Sequence, residues 1–240
     1  MRRFFLSPLL VPLALAAQNA PADPPVLARA LESLKTTNAW TVDKQVALCE
    51  IPAPPFKEGP RGEAFRRELV ALGYDNARID EVGNVVAEVA GTSRGPTVML
   101  AGHLDTVFPE GTNVKVVRDG GRLTGSGIGD DCRGLAVVLA TARAVRQGGI
   151  RFAGRVIFVA NVGEEGAGNL RGTRHLIGTS YKGQVDYFIS VDGTGESITS
   201  RAVGSNRYAV HFLSPGGHSY GAFGMPNPIH AMGRAIAAIG

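Results

Sequence analysis

The chain has 240 residues, 44% of them hydrophobic and 19% charged, with a formal net charge of +4, which is ample for one core and suits one full domain plus part of a second. The Lys and Arg are scattered, so the charge excludes a nucleic-acid patch. The only two cysteines, Cys49 and Cys132, exclude a disulfide framework; one bridge stays open in an oxidising compartment, but two small buried thiols are the preferred reading.

The N-terminus has the layout of an export signal: basic Arg2-Arg3, an apolar stretch from Phe4 to Leu15 broken by Ser7, Pro8 and Pro12, and the small-x-small pattern Ala14-Leu15-Ala16. That stretch is too short to span a bilayer. Residues 1–20 are expected to be removed, leaving a periplasmic or secreted protein with no stable membrane span. Pro21 to Pro25 is a spacer. Val26, Leu27, Ala30, Leu31 and Leu34 recur at helical spacing. Asn38 to Ile51 reads as a second helix with Thr41 as its N-cap, stopped by Ile51-Pro52-Ala53-Pro54-Pro55. Glu58 to Leu72 is a third, with Phe65, Leu69 and Leu72 on its apolar side and Gly73 as its stop.

Ala77 to Glu81 and Val85 to Val89 alternate like paired strands around Gly83-Asn84. Thr97 to Ala101 is a buried strand. Val114 to Val117 and Arg122 to Thr124 suggest a hairpin over Asp119-Gly120-Gly121. Arg133 to Gln147 is a helix with Leu135, Val138, Leu139, Ala142 and Val145 inward. Arg155 to Asn161 is a buried strand, Asn169 to Gly178 a short helix, and Asp186 to Val191 another buried strand. From Ser205 the character changes: Arg207 to Leu213 alternates like a half-exposed strand, and a helix runs from about Pro226 to Ile239.

Helices alternating with continuous apolar strands predict an α/β sheet covered on both faces, and ligands gather at the strand ends of such sheets. His103, Glu164-Glu165 and Asp192 each follow a separate apolar strand, and Asp130 precedes a helix. At i, i+2 spacing, His103 and Asp105 share a face of extended backbone. Asp105 can then take one ring N–H and leave the other nitrogen for a metal. Of Asp130-Asp131, one is expected at the shared centre and the other as a helix cap. Adjacent Glu164 and Glu165 repel unless positive charge is near; a metal-bound glutamate beside a general-base glutamate resolves this. Asp130, Glu165, Asp192 and a hydroxide would neutralise a pair of zinc ions with the histidines neutral.

His103-x-Asp105, Gly129-Asp130-Asp131-x-x-Gly134, Glu164-Glu165, Asp192 and Gly216-Gly217-His218-Ser219 together resemble the co-catalytic dizinc exopeptidases, the family of peptidase T-like tripeptidases, bacterial glutamate carboxypeptidase and aminoacylases. The resemblance covers roughly residues 40 to 240. It implies an α/β fold, a mixed sheet flanked by helices as in zinc exopeptidases, over residues 21–200. It also implies the start of an inserted α+β lid and dimerisation domain over residues 201–240. The implied activity is zinc-dependent cleavage of peptide or N-acyl amide bonds in small substrates, by a homodimer. His103 and Asp192 would hold one zinc, Asp130 would bridge, and Glu165 would bind the second. Glu164 would be the general base, Asp105 would orient His103, and His218 on the lid would meet substrate. Cobalt or manganese would also suit such ligands. The Asp130–Asp131 peptide bond is expected to be cis.

Two features depart from that pattern. Cys132 stands where relatives often carry Lys. The family's last ligand, a His far toward the C-terminus, is not matched by His211, His218 or His230, so the chain is expected to be truncated and one metal a ligand short. Two other readings compete. A neighbouring dizinc aminopeptidase family shares the ligand order but lacks the inserted segment that carries Gly216-Gly217-His218-Ser219. The chain can also be read as a non-catalytic, metal-binding or dimerising fragment.

Overall fold

The strands follow the apolar runs. In chain order they are β1 (Arg78–Ile79), β2 (Val85–Val89), β3 (Val98–His103), β4 (Val117–Asp119), β5 (Arg122–Thr124), β6 (Val156–Asn161) and β7 (Tyr187–Ser190). The helices are α1 (Pro24–Thr36), α2 (Asn38–Cys49), α3 (Gly59–Ala71), α4 (Cys132–Gln147), α5 (Arg171–His175) and α6 (Pro228–Ile239). The structure is a computed structural model that describes residues 24–201, 203–204, 206 and 208–239. The expected signal segment, residues 1–20, lies outside the described residues. None of the described helices is long and apolar enough to cross a membrane. The chain divides into two units between Gly195 and Glu196.

In the first unit, five strands form one mixed sheet in the order β1-β2-β6-β3-β7. β1 and β2 form an antiparallel hairpin, β2 runs antiparallel to β6, and β3 runs parallel to both β6 and β7. Strand alternation sorts the side chains into two cores. Val85, Ala87, Phe158 and Ala160 face Leu48 of α2, Phe65 and Leu69 of α3, and Leu135, Val138, Leu139 and Ala142 of α4. The intervening residues Val86, Met99, Ala101, Ile157 and Val159 meet only Leu176 and Tyr181 among fully buried apolar residues. The fold is thus the expected α/β mixed sheet flanked by helices, with unequal cover: three helices on one face and the short 171–181 segment on the other.

That inequality overturns one expectation. β7 was expected to be buried, but Tyr187, Phe188 and Ile189 are 60%, 37% and 48% exposed. Among the described residues it is an edge strand, paired with β3 alone, and no described helix covers it. Other elements shift for local reasons. Thr41 is not the N-cap of α2; Thr37 holds that place, and Thr41 is buried one turn inside. The expected helix from Asn169 is interrupted. Asn169 and Leu170 take left-handed backbone, α5 follows, and Leu176–Ser180 continues as a π-turn. The second hairpin pairs Val117 with Thr124 and Asp119 with Arg122 around Gly120-Gly121, outside the main sheet. Gly73 ends α3 at φ 88°, where a side chain is disfavoured.

The cysteine expectation is also corrected. Cys49 and Cys132 form a disulfide, with Cα atoms 5.4 Å apart. α2 packs on α4, and this brings the last residue of one helix to the first residue of the other.

In the second unit, the described residues of 207–213 form no strand. An extended segment needs a neighbour to take its N–H and C=O groups, and the described residues of 196–239 contain no strand to pair with. Val210 to Leu213 line a shallow groove with Pro228, Ile229 and Met232 of α6. Asn227 Oδ1 accepts the N–H of Ile229 at 2.8 Å, starting that helix.

Candidate active site

β3, β6 and β7 run parallel, so their C-terminal ends lie side by side. β3 ends in His103 and continues into Asp105. β6 leads into Glu164-Glu165, and β7 into Asp192. The turn before α4 brings Asp130 and Asp131 to the same edge. Two sets of side chains there have potential ligand atoms within 4.8 Å of one another: His103, Asp130 and Asp192, and His103, Glu164 and Glu165. His103 belongs to both.

His103 is almost fully buried, while the side chains of Asp130 and Asp192 are 60% and 48% exposed. His103 Nε2 lies 2.9 Å from Asp130 Oδ1 and 4.0 Å from Asp192 Oδ1. Its Nδ1 lies 3.0 Å from the backbone carbonyl oxygen of Asp105 and 3.6 Å from the Asp105 carboxylate. The close partner of Nδ1 is therefore the main chain. The Asp105 carboxylate is engaged elsewhere: Oδ1 accepts the N–H of Glu164 at 3.0 Å and Oδ2 that of Glu165 at 2.9 Å. A single buried side chain thus joins the end of β3 to the turn after β6.

The two aspartates before α4 divide their work as adjacency requires. Asp131 is buried and caps the helix, accepting the N–H of Gly134 at 2.9 Å and that of His103 at 2.8 Å. Asp130 points the other way, to His103 Nε2. The peptide bond between them is cis. Gly134 leaves room for the cap: a Cβ there would lie 2.1 Å from Asp131 Oδ1 and 2.2 Å from the Val191 carbonyl oxygen.

Charge is crowded at this edge. Burial disfavours a charged His103, yet the adjacent Asp105 carboxylate and the charges of Asp131 and Glu164 outweigh burial and raise its pKa to about 10. Burial pushes Asp131 up to about 8, against the pull of His103 and the two N–H donors. Glu164 and Glu165 are raised as well, first by burial and then by neighbouring carboxylates, Asp192 and Asp105 for Glu164 and Asp130 for Glu165. Negative charge exceeds what one imidazolium neutralises. An imidazole among carboxylates is also the donor set a divalent cation takes. The residues present therefore fit a metal centre.

His218 belongs to the second unit, where its Nδ1 accepts the N–H groups of Tyr220 and Gly221 at 3.3 and 3.4 Å. A third possible ligand group, Asp80, Glu81 and His175, is committed locally. Asp80 Oδ1 accepts three turn N–H groups at 2.8–3.1 Å, and Glu81 pairs with His175.

Two residues that support the edge are absent from the motifs. Arg61 is fully buried on α3. Its guanidinium donates to the carbonyls of Ile51 at 2.7 Å, Leu104 at 2.7 Å and Cys49 at 3.3 Å. Gln45 on α2 donates to the Ile128 carbonyl at 2.7 Å. The signal was spacing: Arg61 precedes Phe65 and Leu69 by four and eight residues, which places it on the apolar side of its helix.

Comparison with known proteins is consistent with this geometry. A model of peptidase family M20/M25/M40 matches residues 99–238, more than half of the chain. Carboxypeptidase G2 of Pseudomonas sp. (strain RS-16) is 28% identical over 199 residues, covering 80% of this chain and 44% of the relative. A tripeptidase from Staphylococcus aureus superposes with a TM-score of 0.53 at 25% identity, over 65% of this chain and 43% of that one. Human carnosine dipeptidase 1, 16% identical, shares the fold with a TM-score of 0.58 over 72% of this chain and 42% of that one. The chain spans less than half the length of these relatives.

Proposed function

The chain belongs to peptidase family M20/M25/M40, and on that premise we propose that it carries the metal-binding half of a zinc-dependent hydrolase of peptide or N-acyl amide bonds in small substrates. The observation that carries the reading is the convergence of His103, Asp130, Asp192, Glu164 and Glu165 at three adjacent parallel strand ends.

In this reading His103 and Asp192 would hold one zinc and Glu165 a second, and Asp130 would serve as a ligand to both. Bound zinc supplies Lewis acidity, which polarises an amide carbonyl and makes water a stronger acid near neutral pH. Glu164 is the proton carrier: its carboxylate takes the proton of the attacking water and returns it to the leaving amine nitrogen. Asp105 keeps Glu164 in place through its backbone N–H. His218 contributes to substrate binding, and the second unit to a homodimer. Carboxypeptidase, tripeptidase and dipeptidase relatives support a small peptide as substrate. The N-terminal pattern supports export.

The test is hydrolysis of di- and tripeptides and N-acyl amino acids by the zinc-loaded protein. Glu164→Gln is expected to lower kcat by about 100- to 10,000-fold while zinc stays bound, and chelation to abolish turnover. Activity that survives both treatments would overturn the assignment.

A further inference from the structure

The C-terminal turns of α2 touch the loop that carries Asp130 and, through Arg61 of α3, are linked to the loop that carries His103. Cys49, the last residue of α2, is bonded to Cys132, which follows Asp130-Asp131 directly. The Cys49 carbonyl accepts from Arg61 Nη2, and the same guanidinium donates through Nη1 to Leu104, between His103 and Asp105. One turn earlier, Gln45 Nε2 holds the Ile128 carbonyl in the glycine-rich approach to Asp130. One short stretch of helix therefore reaches the His103 loop through Arg61 of α3, and it grips the Asp130 loop directly by a hydrogen bond and a covalent bond. Both cysteines are fully buried, so the bridge lies within the packing beneath the site. Asp130 itself is largely exposed, and its place is set by the backbone on either side of it.

We propose that the Cys49–Cys132 disulfide is a positioning element of the metal centre, holding the Asp130 turn against His103, so that the cation affinity of the site depends on the redox state of this pair. The inference rests on the metal-hydrolase reading. Reduction by a dithiol follows ordinary exchange. One reagent thiolate attacks a cysteine sulfur and displaces the other, and the second reagent thiolate then closes on the mixed disulfide. Two electrons and two protons end on Cys49 and Cys132, and the reagent leaves as a cyclic disulfide. Without the bridge, only the Gln45 contact and the Asp131 hydrogen bonds hold the turn, and these open more often once its covalent tie to α2 is lost. Loss of a group that orients a ligand typically weakens metal binding by about 10- to 100-fold.

The experiment compares three forms of the chain: oxidised; reduced and desalted under argon; and the Cys49→Ala/Cys132→Ala variant, which has no free thiols to compete as ligands. Thiol titration under denaturing conditions is expected to find none in the first form and two in the second. Zinc affinity, measured by competition with a chromophoric chelator, is expected to fall about 10- to 100-fold in the second and third forms. In metal-free protein, amide exchange is expected to quicken at His103 and Gly134, whose N–H groups meet Asp131. It should stay unchanged at Gly83 and Asn84, which are held by Asp80. A uniform rise across all four amides means a general loss of stability and overturns the positioning role. Zinc that is bound by the oxidised chain, lost in His103→Ala and unaffected by reduction overturns the clamp alone. Equal zinc binding by the oxidised chain and His103→Ala overturns the metal reading and the clamp with it.

Discussion

Asp105→Asn isolates the contact that ties the end of β3 to the Glu164-Glu165 turn. The two carboxylate oxygens of Asp105 accept backbone N–H groups at 3.0 and 2.9 Å, and the residue is fully buried, so no water replaces a lost acceptor. A hydrogen bond to an ionised group contributes about 1.5–3 kcal/mol and a neutral one about 0.5–1.5 kcal/mol. Asparagine keeps one oxygen and turns an NH₂ toward the second N–H. One charge-assisted bond is lost and the other weakened, which sums to about 2–4 kcal/mol. The pH dependence has a definite sign. Burial disfavours the charged form of Asp105, but the adjacent His103 and the two N–H donors outweigh burial and hold its pKa below the ordinary 3.8. A depressed folded-state pKa adds stability that is present above the unfolded value and lost as pH falls through the folded one. Urea unfolding of metal-free protein is therefore expected to show Asp105→Asn about 2–4 kcal/mol less stable at pH 7, with a flatter acid limb below about pH 4. Amide exchange at Glu164 and Glu165 should quicken with it. A variant within about 0.5 kcal/mol of wild type, with both amides exchanging as before, would refute the reasoning.

Three further outcomes follow from the same edge of the sheet. Gly134→Ala places a Cβ about 2 Å from the Asp131 carboxylate and the Val191 carbonyl; despite the roughly 1 kcal/mol helix preference for Ala, loss of the cap makes the variant less stable by about 1–2 kcal/mol or more in urea titration. His103, raised from 6.5 to about 10, contributes stability that is full below pH 6.5 and lost as pH rises through about 10. Asp131, raised from 3.8 to about 8, contributes a fall that begins above pH 3.8 and is complete near 8; above pH 6.5 the two add, so metal-free protein should lose stability from there to about pH 10, and less steeply in His103→Gln. Arg61→Met strips a buried donor from the carbonyls of Ile51, Leu104 and Cys49 and a positive charge from near Asp105 and Asp131; a loss of about 3–5 kcal/mol is expected, and a variant as stable as wild type would show that water or neighbouring groups satisfy those carbonyls.

Much of the framework was legible locally. β2, β3, β6 and α4 announce themselves through side-chain period, and the polar residues that end the strands are adjacent to them in sequence. Where neighbours decide, local reading failed. β7 is as apolar as β6 but lies at an edge beside a sparsely covered face, so the same composition ends exposed. Thr41 has a capping side chain but sits a turn inside a helix whose start was set at Thr37. Nothing near Arg61 in sequence names the carbonyls it serves, although its spacing from Phe65 and Leu69 placed it among apolar neighbours.

By itself, the sequence determined which residues stand at the strand ends, because a strand's apolar run and the loop after it are contiguous. It also determined that one of two adjacent aspartates would cap α4, since both cannot face one centre. The tertiary structure alone decided the strand order, the Cys49–Cys132 bond across 83 residues, and the engagement of the Asp105 carboxylate by Glu164 and Glu165 rather than by His103. The physical reason is common to all three. Each depends on which distant segments the two cores bring within bonding reach, and neither period nor spacing records that distance.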